Sequence, residues 1–293
     1  MPEDKIIDGK IISALVKEEI KKEAEDLKLK GVIPGIAFIL VGDNHASTMY
    51  VNSKEKTCKE LGFYSIIERL PAETSETKIL ELIDNFNTDK LIHGILVQLP
   101  VPKHIKEQKI IEAIDYRKDV DGFHPQNIGR LVAGMKSFIP CTPYGIVEML
   151  KRKGLETKGK NLVVIGRSNI VGKPVANLFM NKSLNATVTV CHSFTRDIKE
   201  FTSKADIIIA AIGKAHFLKA DMIKEGAVII DVGINKIEDM SKKSGFRTVG
   251  DVDFDDCYEK CSHITPVPGG VGLMTIAMLM KNTLESAQAK IYS

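Results

Sequence analysis

The chain lacks any apolar run that approaches membrane-spanning length, and it has neither a low-complexity linker nor a convincing internal repeat. No membrane is expected as a partner. A strong charge of one sign is missing too. The 41 Lys and Arg stand against 38 Asp and Glu, leaving a net charge of +3. No basic stripe is interleaved with aromatics, so no nucleic acid is expected either. The five cysteines are scattered and odd in number, which fits a reducing, cytoplasmic setting. Cys257-x-x-x-Cys261-x-His263 offers three ligands at a poor spacing, so no metal is expected. Met-Pro-Glu-Asp-Lys has no positive segment leading into an apolar one, so no signal peptide is expected. What is present is a 293-residue chain, 44% hydrophobic and 27% charged. That is the make-up of a globular protein long enough for two domains.

The most informative stretch is Asn161-Leu-Val-Val-Ile-Gly166-Arg167-Ser168-Asn-Ile-Val-Gly172-Lys-Pro174. Residues 162–165 are a β-branched apolar run, the pattern of a strand buried on both faces. Gly166 ends it, and Gly172 stands where a helix should begin. Glycine leaves the backbone bare and a helix N-terminus offers unpaired N–H groups, so a phosphate can approach such a turn. The spacing is not G-x-G-x-x-G, and on this segment alone an ordinary strand–turn–helix corner stays open. Further strands at 186–190, 206–211 and 227–231 alternate with helix-length segments. That is the pattern of a Rossmann-type doubly wound parallel sheet with a dinucleotide at its strand ends. The second strand runs into Cys191-His192-Ser193-Phe194-Thr195-Arg196, with no carboxylate before Asp197. A hydroxyl with Arg167 and Arg196 nearby suits a 2′-phosphate, so the expected cofactor is NADP rather than NAD.

Residues 1–140 read as another α/β unit. Ile12, Val16, Ile20, Ala24 and Leu27 repeat at helical spacing, and 35–41 follows as a buried strand. A helix capped by Ser47 carries Tyr50, Lys54 and Cys58 to Gly62. A short strand covers 64–67, and a helix capped by Thr74 or Ser75 bears Ile79, Leu82, Ile83 and Phe86. Residues 91–97 form a second buried strand, ending in the extended Gln98-Leu-Pro-Val-Pro102 loop. Residues 115–134 read as a long loop, of the kind that is usually functional. Thr142 caps a helix with Pro143 at its first position, closed by Gly154. Residues 265–272 are irregular and precede a helix from Met274 to about Ala289, apolar on most faces and expected to pack against the first domain.

Tyr50 and Lys54, four apart, share one helix face. A lysine kept partly dry beside a phenol can exchange protons near neutral pH. By spacing alone the stronger reading is a solvated lysine in the run Lys54-Glu55-Lys56. Gln98 ends a buried strand, where open α/β sheets place ligand contacts. Asp119 and Asp121 are equally well read as turn formers or as functional carboxylates. His124 and His216 have no evident partner.

Taken together, these segments resemble one family. Its marks are Ser47-x-x-Tyr50-Val51-x-x-Lys54-x-Lys56, Gly94-x-x-Val97-Gln98-Leu99-Pro100, Lys118-Asp119-Val120-Asp121-Gly122-Phe123, Pro140-Cys-Thr-Pro143, Gly166-Arg-Ser168 with Val171-Gly-Lys-Pro174, and Pro266-Val-Pro-Gly-Gly-Val-Gly272. They resemble, in order over nearly the whole chain, the bifunctional methylenetetrahydrofolate dehydrogenase / methenyltetrahydrofolate cyclohydrolase. One departure is Leu273, where the family commonly has proline; leucine restores a backbone N–H and frees φ at the entry to the last helix.

The resemblance implies a fold of two α/β domains flanking a cleft. Residues 1–140 plus 273–293 would be the folate-binding catalytic domain and 141–272 the Rossmann-type NADP-binding domain. It implies NADP-dependent oxidation of 5,10-methylenetetrahydrofolate to the methenyl form and hydrolysis of that product to 10-formyltetrahydrofolate. Carried over by position, Lys54 is the general acid/base, Gln98 tunes or orients it, Tyr50 positions the folate, and Asp121 holds the pterin ring. Gly166, Arg167, Ser168, Ser193 and Ile234 line the cofactor. Val97, Leu99, Pro268, Gly269 and Gly270 border the substrate. A homodimer joined through the cofactor domains is also implied. Two rivals are a two-domain NADP oxidoreductase of the shikimate dehydrogenase kind, which should lack the Pro-Gly-Gly-Val-Gly loop, and a non-catalytic NADP-binding sensor. Such a sensor would have no reason to keep Tyr50, Lys54, Gln98 and Asp121 together.

Overall fold

Two separate sets of apolar runs build two cores. A computed structural model describes residues 5–242 and 245–292, which fall into two compact units. Unit 1 is Met1–Ala14 with Thr142–Thr275, and unit 2 is Leu15–Cys141 with Ile276–Ser293. The first fourteen residues group with the later stretch through backbone pairing: Ile7 N–H donates to the Ile264 carbonyl at 2.9 Å, and Ile6 bridges Ile264.

Helix α1 (Gly9–Leu29) starts where Asp8 Oδ1 accepts from the N–H groups of Lys10 and Ile11. Its stripe of Val16, Ile20, Ala24 and Leu27 is buried in unit 2. Strand β1 (Gly35–Val41) is buried along its whole length. Helix α2 (His45–Leu61) follows, then β2 (Tyr64–Leu70), α3 (Glu76–Thr88), β3 (Gly94–Val97), α4 (Glu107–Ala113) and α5 (Pro125–Val132). The three strands form a parallel sheet in the order β2-β1-β3. Ile79, Ile83 and Phe86 of α3 close one face of it against Ala37, Ile39, Ile95 and Val97.

The structure departs from three local expectations. The cap of α2 is Asn44, whose side chain accepts from Ser47 N–H at 3.1 Å, so Ser47 lies inside the helix. Residues 115–134 are not one loop, because α5 forms within them: His124 Nδ1 accepts from Gln126 N–H, and Pro125 takes the first helical position. The next helix, α6 (Cys141–Arg152), begins at Cys141 and takes in Thr142, whose hydroxyl meets that of Thr275 at 3.0 Å.

Unit 1 continues with β4 (Asn161–Ile165), α7 (Gly172–Met180), β5 (Thr187–Cys191), α8 (Lys199–Thr202), β6 (Ile207–Ala210) and β7 (Val228–Asp231). A hairpin of β8 (Asn235–Glu238) and β9 (Phe246–Val249), α9 (Phe254–Tyr258) and β10 (His263–Ile264) complete it. The sheet is parallel, in the order β10-β7-β6-β4-β5. Strands β5 and β6 lie on opposite sides of β4, so the winding reverses at β4. Its carboxyl end is the point where such sheets receive a ligand.

The last helix, α10 (Val271–Ala287), starts three residues before Met274. The Leu273 N–H that proline would lack donates to the Gly270 carbonyl at 3.3 Å. Its later turns are part of unit 2. Met280 Sδ lies 3.5 Å from Cys58 Sγ, and Ser286 Oγ donates to the His93 carbonyl at 2.6 Å. Among the described residues no helix is long and apolar enough to cross a membrane, and no three His, Cys, Asp or Glu are grouped to hold a metal ion.

Candidate active site

In unit 2 the site begins with a lysine that the helix buries. The inward stripe of α2 is Ser47, Val51, Lys54, Thr57, Cys58 and Leu61. Lys54 occupies the same stripe as Val51 and Cys58 and is only 7% exposed. The solvated reading suggested by its charged neighbours is therefore not what is found. Lys56, two residues on, is exposed and pairs with Glu60 at 3.8 Å. Tyr50, one turn before Lys54, is 39% exposed.

A buried ammonium needs an acceptor, and Gln98 supplies it. Parallel pairing carries β3 one residue further, with Gln98 N–H donating to the Ile39 carbonyl at 2.8 Å. The side chain then presents Oε1 to Lys54 Nζ at 3.0 Å. Gln98 Nε2 donates to the Leu99 carbonyl at 2.8 Å, which fixes which end of the amide faces the lysine. Val97 is buried and Leu99 half-buried on either side of it, and Leu99–Pro100 is a cis peptide.

Asp121 reaches the same place from the 118–122 segment, which runs beside β3 with Ile95 N–H donating to the Lys118 carbonyl. Gly122 makes the turn that delivers it: φ is +78°, and a Cβ there would lie 2.7 Å from Pro140 N. Desolvation pushes the Lys54 ammonium below the usual lysine range, opposed by the Asp121 carboxylate. Burial pushes Asp121 up, opposed by Lys54. The Cys141 thiol, beside both, is driven well above its ordinary value by burial. The result is a lysine, an amide and a carboxyl group held together in a dry setting, with the lysine poised to gain or lose a proton.

Two further residues support this arrangement: Asp119, whose open reading resolves to turn former, and Asn282, which the sequence did not single out. Asp119 is buried and accepts from Gly122 N–H, His124 N–H and Asn127 Nδ2, so it holds the turn itself together. Asn282 of α10, 1% exposed, donates from Nδ2 to the Val120 carbonyl at 2.8 Å and to the Ile139 carbonyl at 2.9 Å. A lone amide just past the apolar run of α10 was the available signal.

In unit 1 the carboxyl end of β4 meets Gly166, at φ +123°. A Cβ there would lie 2.2 Å from the Ala211 carbonyl oxygen, and one on Gly172 would lie 2.3 Å from the Gly166 oxygen. Only bare backbone fits, which leaves the turn open to a phosphate. Ser168 Oγ accepts from Val171 N–H and Gly172 N–H at the start of α7, so its own proton remains free for an anion. The Arg167 guanidinium lies over the Phe194 ring at 5.8 Å, at the end of β5 where Ser193 is exposed. The nearest following carboxylate, Asp197, is spent on its own turn, accepting from Lys199 N–H at 2.9 Å. This donor set of bare backbone, hydroxyls and guanidinium, with no ribose-binding carboxylate, fits a dinucleotide carrying a 2′-phosphate. Ile234, 54% exposed, follows β7. Pro268, Gly269 and Gly270 precede α10 in unit 1; a Cβ on Gly9 would meet the Gly270 oxygen at 2.1 Å.

Residues 7–121 match the family model for the tetrahydrofolate dehydrogenase/cyclohydrolase catalytic domain, and residues 140–291 match its NAD(P)-binding domain. The bifunctional protein FolD of Campylobacter concisus is 58% identical, over 98% of this chain and 99% of that one. The crystal structure of the bifunctional FolD methylenetetrahydrofolate dehydrogenase/cyclohydrolase from Campylobacter jejuni superposes with a TM-score of 0.93 at 48% identity, covering 97% of this chain and 99% of that one. That of the Trypanosoma brucei enzyme, complexed with NADP cofactor and inhibitor, has a TM-score of 0.93 at 37% identity over the whole of both chains. With both family models matched and relatives this similar along its full length, the chain belongs to the tetrahydrofolate dehydrogenase/cyclohydrolase family.

Proposed function

We propose that this protein oxidises 5,10-methylenetetrahydrofolate with NADP and hydrolyses the methenyl product to 10-formyltetrahydrofolate. The observation that carries both halves is the buried Lys54, hydrogen-bonded to Gln98 beside Asp121, in a chain that also has the Gly166 turn. A non-catalytic NADP sensor needs the turn alone, and the full-length family match leaves no place for an enzyme of the shikimate dehydrogenase kind.

Bound NADP would supply the hydride acceptor. Gly166, Arg167, Ser168, Ser193 and Ile234 would hold it, the guanidinium and hydroxyls at its phosphates and Ile234 against its flat apolar surface. The substrate nitrogen already stabilises the carbon that loses hydride, so the protein's part in oxidation is alignment. In hydrolysis water adds to the one-carbon unit and its oxygen loses both protons to become the formyl oxygen; a C–N bond breaks as the nitrogen takes up one proton, and the other is released. Lys54 manages these protons. Gln98 occupies one of its hydrogens and so aims the rest, and Asp121 steadies its charged form. Tyr50 offers a ring to the folate, Asp121 accepts from the pterin, and Val97, Leu99, Pro268, Gly269 and Gly270 border it. The protein works as a homodimer through its NADP-binding unit, in the cytoplasm, supplying formyl groups of the kind used in purine synthesis. Neither nucleic acid nor membrane is a partner.

The test is an absorbance trace with methylenetetrahydrofolate and each nicotinamide cofactor. Reduced NADP should form together with a methenyl species that then decays; formation without enzymatic decay would refute the hydrolytic half.

A further inference from the structure

Two buried carboxylates in unit 1 have no part in the chemistry above. Asp251, two residues after the β9 hairpin strand, is fully buried. Its Oδ2 accepts from Ile212 N–H at 2.7 Å and Gly213 N–H at 3.0 Å, and its Oδ1 accepts from Lys214 N–H at 2.8 Å and Asn235 Nδ2 at 2.9 Å. One side chain thus gathers three consecutive amides of the loop that follows β6, and one side chain from the stretch that follows β7. Asp231, the last residue of β7, holds Asp251 in turn. Its Oδ1 accepts from Asp251 N–H at 2.9 Å and its Oδ2 from Val252 N–H at 2.9 Å.

The loop so gathered is not remote from the cofactor turn. The Ala211 carbonyl, one residue before Ile212, is the group that a Cβ on Gly166 would strike. Asn235 is the neighbour of Ile234. The carboxylate therefore ties together the loops after β6 and β7, on the carboxyl side of the sheet where ligands bind. A carboxylate is suited to this because it accepts at both oxygens and donates at neither. We propose that Asp251 is a positioning residue for the dinucleotide: it fixes the 212–214 loop against the Gly166 turn, so that the cofactor meets a preformed rim.

The inference rests on NADP lying at the end of β4, and the experiment separates the two. NADP binding is measured by calorimetry on the wild type, Asp251→Asn and Asn235→Ala, alongside hydrogen exchange of the Ile212, Gly213 and Lys214 amides. Methenyl hydrolysis, which needs no nicotinamide, is run on the same samples. Asn puts an N–H₂ among donors that want an acceptor. Asp251→Asn should therefore weaken NADP by about tenfold or more, speed exchange at those three amides, and change hydrolysis by less than about threefold. Asn235→Ala, which removes a single donor, should shift NADP binding the same way by a smaller factor. Should Asp251→Asn fail to fold, Asn235→Ala alone decides, and unchanged NADP binding and exchange in it overturn the inference. Equal losses of NADP binding and hydrolysis in Asp251→Asn overturn it too, since they would mark a merely structural role. A wild type that binds no NADP would refute the reading of the turn as well.

Discussion

Lys54 Nζ lies 3.0 Å from Gln98 Oε1, and the amide of Gln98 cannot turn away because its nitrogen is bound to the Leu99 carbonyl at 2.8 Å. The lysine is thus held by a neutral acceptor, which tolerates both of its protonation states. Lys54→Met should lower methenyl hydrolysis by at least about a hundredfold, the scale of acid–base contributions. Oxidation should persist in part. Lys56→Met, at an exposed ion pair, should leave hydrolysis within about twofold. Initial rates of both reactions on each variant decide it, and a Lys54→Met protein that hydrolyses normally would remove the lysine from the mechanism.

The charge on Asp121 raises the affinity of Lys54 for its proton, against the desolvation that lowers it. In Asp121→Asn only desolvation remains, so the limb of the hydrolysis pH profile that reports Lys54 should move to lower pH. A limb that stays in place or moves up, in a protein that still melts cooperatively, would disconnect the two groups.

At the end of β5 the exposed Ser193 precedes Phe194, whose ring lies under the Arg167 guanidinium, and Asp197 is turned into its own capping bond. NADP should be preferred to NAD. Ser193→Asp would set like charge beside the 2′-phosphate and should raise KM for NADP by about tenfold or more, with a smaller effect on NAD. A wild-type specificity constant equal or better with NAD would contradict this.

Asn282 satisfies two buried carbonyls, those of Val120 and Ile139. Asn282→Leu keeps the volume but orphans both, at a cost of about 2–4 kcal/mol. Denaturant unfolding should show that loss. Hydrolysis should fall too, because Val120 precedes Asp121. Unaltered stability would mean that the carbonyls find other partners.

The strands were legible because residues 36–41 and 162–165 are unbroken apolar runs with turn formers after them. Burial of Lys54 was not, since its sequence neighbours are charged and only the helix stripe through Val51 and Cys58 draws it inward. Helix α5 was hidden because its cap is a histidine and its apolar positions are few. The β8–β9 hairpin is mostly polar and solvent-facing, so no alternation announced it. Asp231 and Asp251 could have been noticed as lone carboxylates ending or interrupting apolar runs, Val-Ile-Ile-Asp231 and Val-Gly-Asp251-Val. Their partners are backbone amides far along the chain, which composition does not display. Spaced motifs carried the site better than local periodicity did.

Unit 2 is closed by residues from the far end of the chain. When a ribosome has made Cys141, the carbonyls of Val120 and Ile139 and the position beside Cys58 still await Asn282 and Met280. All of Thr142–Thr275 must be synthesised first, which takes on the order of ten seconds at ordinary elongation rates. During that interval the nascent chain carries an open apolar seam, and unit 1 has all its strands before the last residues of unit 2 are made. The order of appearance from the ribosome is therefore not the order of completion: the unit whose bulk is made first, Leu15–Cys141, is finished last.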